Sequence, residues 1–76
     1  MKKAAKEAIE NAERVLNQKP GRRSPDAQAA PAERALAQIR KCYPTDPKTS
    51  VALGEARNAL RERLEDIAQG SWAMTW

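Results

Sequence analysis

The apolar residues of this chain recur at three- and four-residue steps and are mainly alanine and leucine, with no phenylalanine among them. That spacing is helical and leaves no room for a strand reading. In the first segment Ala5, Ala8, Ile9, Ala12, Val15 and Leu16 share a face, which predicts a helix over 3–18. Lys3–Glu7, Lys6–Glu10 and Glu10–Arg14 stand four apart on its outer face, where such pairs add a few tenths of a kcal/mol each. Pro20 and Gly21 stop it. A linker follows over 19–30; Ser24, Pro25 and Asp26 suit an N-cap and the first two helical positions, so Pro31 either kinks a helix begun there or starts one itself, and the later start is preferred, with 24–30 a loose first turn. The second helix is expected over 31–42, with Pro31 at its first position and Ala32, Ala35, Leu36 and Ile39 on one face. "CYPTDPKTS" is the sharpest break: Pro44 ends the second helix, residues 43–46 turn, and Asp46 caps a third helix with Pro47 at its first position. That helix is predicted over 47–69, with Leu53, Ala56, Leu60, Leu64 and Ile67 as its stripe and Gly70 just past its end. Gly54 lies inside it, where glycine suggests close approach of another backbone or a ligand. The short second connection makes helices two and three an antiparallel hairpin. The fold class is all-α: a small three-helix protein with a Trp-rich tail over 70–76.

An alanine–leucine core is thin, because stabilisation by burial scales with apolar area. A chain of 76 residues is one domain at most and marginal by itself. Small cores need a staple. Cys42 is the single cysteine, so no disulfide closes within the chain. Self-association is the staple left, and a homo-oligomer is expected. The free thiol fits a reducing compartment, and no apolar run reaches the length of a membrane span, so the expected location is cytoplasmic.

Histidine is absent, which excludes His-dependent triads and the common zinc sites. Cys42 has no activating partner and sits at a helix end whose dipole opposes a thiolate. Glu55, Glu62, Glu65 and Asp66 alternate with Arg57, Arg61 and Arg63 as a solvated face. The chain reads as a binding protein and not an enzyme, with no cofactor and no metal. Its net charge of +4 favours anionic partners. Lys2, Lys3, Lys19, Arg22 and Arg23 are candidate contacts to a nucleic-acid backbone. The start of the third helix has the parts of a phosphate site: Lys48 supplies charge, and Thr49 supplies a hydroxyl beside unpaired backbone N–H groups. Tyr43, just before that turn, or a tail tryptophan is the candidate for stacking on a base. Trp72, Met74 and Trp76 either close the thin core or a subunit interface, or anchor in a partner's pocket.

The second half, roughly 32–69, resembles the hairpin domain of phage-encoded sponges that sequester cyclic oligonucleotide signals used in CBASS-type immunity. The stretch "CYPTDPKTSVALGEARNALRERLEDIA" carries the resemblance through Lys48, Thr49, Ala52, Leu53, Ala56, Ala59, Ile67 and Ala68. The resemblance implies a small helical oligomer that binds its signal at subunit interfaces, with Lys48 and Thr49 at the ligand. The family's stacking tyrosine near the N-terminus has no counterpart in the first helix. The function expected is therefore sequestration of an anionic nucleotide signal by a phage or mobile-element counter-defence protein. The competing expectations are an inhibitor or scaffold of a host protein acting through the Trp tail, and a non-specific nucleic-acid binder.

Overall fold

The computed structural model describes residues 2–18 and 24–70, and these form three helices: α1 (Lys3–Leu16), α2 (Pro25–Arg40) and α3 (Pro47–Gln69). All three pack on one another. The expected roles of Trp72, Met74 and Trp76, and of Lys19, Arg22 and Arg23, fall outside the described residues. Among the described residues, no helix is long and apolar enough to cross a membrane.

α3 starts and stops as its sequence dictates. The Asp46 carboxylate accepts the Thr49 N–H at 2.7 Å, Pro47 takes the first helical position, and Gly70 closes the helix in the left-handed region at φ 78°. Only glycine enters that region without strain from a Cβ. α1 stops at Leu16, two residues before the expected end, where Asn17 and Gln18 fold back by hydrogen bonds to Glu13 and Val15.

α2 corrects the reading of residues 24–31. The helix begins at Pro25, not at Pro31, and Ser24 caps it by accepting the Ala27 N–H at 3.3 Å. Pro31 lies inside the helix, where it gives the Ala27 carbonyl no N–H and crowds it. Two effects oppose that penalty. Ser24, Pro25 and Asp26 make a favourable start, and the following turns bury Ala32, Ala35, Leu36 and Ile39 on one face. The other end tightens: Lys41 and Cys42 donate to Gln38 and Ile39 three residues back, and the helix proper ends at Arg40, short of residue 42.

The core gathers Ala5, Ala8, Ala12 and Val15 of α1 with that face of α2 and with Leu53 and Leu60 of α3. Leu60 is fully buried and, by area, contributes about 1.5–3 kcal/mol. Each alanine methyl contributes nearer 0.8 kcal/mol, about the value of one buried methylene. The helices are therefore held largely by many small contacts. Three polar links add register. Asn11 donates to the Gln38 side chain at 3.0 Å, and the Cys42 thiol lies 3.7 Å from the Ala4 carbonyl. Arg63 donates to the Leu16 carbonyl at 2.8 Å. The first two pair the start of α1 with the end of α2 and the middle of α1 with a point one turn earlier.

Candidate functional site

The pairing of α1 with the end of α2 gathers one end of the bundle from distant parts of the chain. Lys2, Ala4 and Ala5 meet Lys41, Cys42 and Tyr43 around a surface pocket of about 210 Å³. Lys2 is the N-cap of α1 and is exposed; its ammonium, a donor only, cannot cap the backbone N–H groups of the helix start. Lys41 is the C-cap of α2 and is exposed. Tyr43 is 85% exposed. A phenol ring that open, lining a pocket with two ammonium groups, offers a flat face for stacking and two point charges for an anion. The floor is alanine and the thiol of Cys42. That thiol lies 3.4 Å from the Gln38 carbonyl as well as 3.7 Å from Ala4, and it donates to either one. It is half-buried against the core and has a structural role.

The start of α3 is arranged differently from the expected phosphate site. Asp46 itself occupies the position an anion would take. One carboxylate oxygen accepts the Thr49 N–H and the other accepts the Thr49 hydroxyl at 3.0 Å. The bond from the Thr49 N–H, then that from its hydroxyl, holds the Asp46 carboxyl below the ordinary aspartate value. Thr49 is only 2% exposed, because the capping position that meets Asp46 also faces the core. Its hydroxyl is committed inside the chain. Lys48 is exposed on the first turn of α3, but it does not line the pocket with Tyr43. Of the residues expected at a ligand, the structure brings together Lys2 and Tyr43, adds Lys41, and turns Thr49 inward. Lys3 is exposed beside Lys2.

Arg63 is the second residue the charge pattern misplaces. It is half-buried, not part of a solvated face, and its guanidinium caps the last carbonyl of α1. Burial lowers its pKa, and the charge of Asp66 opposes that shift. A sequence signal was present: Arg63 stands three after Leu60 and four before Ile67, inside the apolar stripe. No comparable signal exists for the Lys2–Tyr43 pocket, which depends on how α1 docks. Among the described residues, no group of three or more histidine, cysteine, aspartate or glutamate side chains gathers to hold a metal ion. No protein-family model, curated protein or solved structure matches this chain.

Proposed function

We propose that the chain is a non-catalytic binding protein that sequesters an anionic nucleotide signal, as expected of a phage or mobile-element counter-defence protein. The observation that carries this reading is the convergence of Lys2, Lys41 and Tyr43 on one pocket. A base stacks on the Tyr43 ring, and the two ammonium groups hold phosphate. Lys3 and Lys48, exposed nearby in sequence, add to the field. In this reading α2 and α3 form an antiparallel hairpin whose turn presents Tyr43. The thin, alanine-rich core supports self-association as part of the same proposal.

Base–aromatic stacking contributes about 1–3 kcal/mol per base. Titration calorimetry with cyclic di- and trinucleotides tests the reading. Saturable binding is expected, weakened about 5- to 150-fold by Tyr43→Ala, which is that energy expressed as affinity. A melting temperature unmoved by every cyclic nucleotide, at concentrations far above a plausible Kd, abandons the reading. Steeply salt-dependent binding to arbitrary DNA, with no preference for cyclic nucleotides, replaces it with non-specific nucleic-acid binding.

A further inference from the structure

Gly54 is an expense with no visible return inside the chain. Glycine is among the poorest residues for a helix interior, and Gly54 sits well within α3. Close approach of another backbone would justify it, but among the described residues, and leaving aside its chain neighbours and the adjoining backbone of α3 itself, no atom comes within 4 Å of the place a Cβ would occupy. Gly54 instead lines a notch of about 260 Å³ between α2 and α3, which Cys42 and Pro44 of the connection also border. Ile39 and Leu53 are buried and give it an apolar lining. Arg40 comes from α2, while Ser50 and Arg57 come from the same face of α3 as Gly54. Among the described residues, no carboxylate lines it.

Two guanidinium forks and a hydroxyl, with no acid between them, match a dianion better than a single carboxylate. A phosphate monoester carries close to two charges at neutral pH. The apolar lining calls for carbon attached to that phosphate. The volume limits how much, since pockets for drug-sized ligands start at about 300 Å³. One ring fits that limit, and a peptide does not. We propose that the notch binds a phosphate monoester carried on a single small apolar or aromatic group. This site shares no cation with the Lys2–Tyr43 pocket, so it stands or falls separately from the function proposed above.

Phenyl phosphate is the probe, with inorganic phosphate and phenol as comparators, followed by amide chemical shifts in the intact protein. Saturating shifts are expected at Ser50, Leu53, Gly54 and Arg57, with millimolar or tighter affinity. Phenyl phosphate should bind at least about tenfold tighter than either comparator, because only it uses both the cations and the apolar lining. Gly54→Met puts a good helix former with a flexible side chain beside the notch, at a position where a Cβ has room, so the fold persists while binding weakens at least about tenfold. Arg57→Gln weakens it similarly, whereas Arg61→Gln, outside the notch, leaves it unchanged. Shifts that fail to saturate, equal binding of phosphate and phenyl phosphate, or wild-type affinity in Gly54→Met would each overturn the proposal. Equal loss in Arg61→Gln would do so too, since it would mean attraction to net charge alone.

Discussion

The two ends of the bundle use cations in opposite ways. At the end where α1 begins, Lys2 and Lys41 stand exposed around Tyr43. Toward the end where α1 stops, Arg63 reaches from α3 and is held by a backbone carbonyl. The difference lies in what each cation can reach. The last carbonyls of a helix have no intrahelical partner, and a guanidinium from a neighbouring helix satisfies one of them. At the first end the Gln38 and Ile39 carbonyls are taken by the tightened turn of α2 and by the Cys42 thiol, and both lysines stay exposed. Charge counted along a sequence does not separate a structural cation from one available to a ligand. The supply of unpaired acceptors nearby does.

The largest effect that tests this contrast is at Arg63. Arg63→Met keeps most of the stem but removes the cap, and should lower unfolding stability by about 1.5–3 kcal/mol in urea titrations, the range for a hydrogen bond from a charged group. A loss below about 0.5 kcal/mol, typical of a surface substitution, would put Arg63 with the exposed cations and dissolve the contrast. A smaller effect belongs to Asp46, whose carboxylate is open to solvent. Its pKa is lower folded than unfolded. Its ionised form therefore adds stability above the unfolded value of about 3.9, and that contribution disappears as pH falls through the folded value. Asp46→Asn keeps a capping oxygen without the charge. Melting temperatures should favour the wild type at pH 6, and the gap should narrow as the pH falls below the unfolded value; a gap that stays constant into acid would assign it to something other than ionisation. The smallest effect is expected from Lys2→Gln with Lys41→Gln, which should change stability by less than about 0.5 kcal/mol. Marked destabilisation by that pair would mean that the lysines hold the fold, and that the two ends are alike.

Much of α3 was legible because its punctuation is chemically specific. Asp46, Pro47 and Gly70 each perform the one backbone task their side chains suit. The start of α2 was not, because two local signals compete. Pro31 marks a helix start when read alone, yet burial of the face that follows it stabilises a helix that runs through it. Thr49 shows the same limit at the site. Its position at a helix N-terminus reads as an anion contact, but the chain supplies its own anion in Asp46, and the hydroxyl is consumed. The Tyr43 pocket needs Lys2, and only tertiary docking of α1 brings it there. Ala4 and Cys42, which fix that docking, are 38 positions apart.

The Cys42 thiol lies between a carbonyl of α2 and one of α1. Lifting α1 from the bundle removes the Ala4 carbonyl from that sulfur and widens the access it already has through the pocket it lines. The thiol's labelling rate with an alkylating reagent should therefore rise in a variant that loosens α1, Asn11→Ala for example, above the rate the docked helix permits. The chain carries its own gauge of how firmly its first helix is fastened.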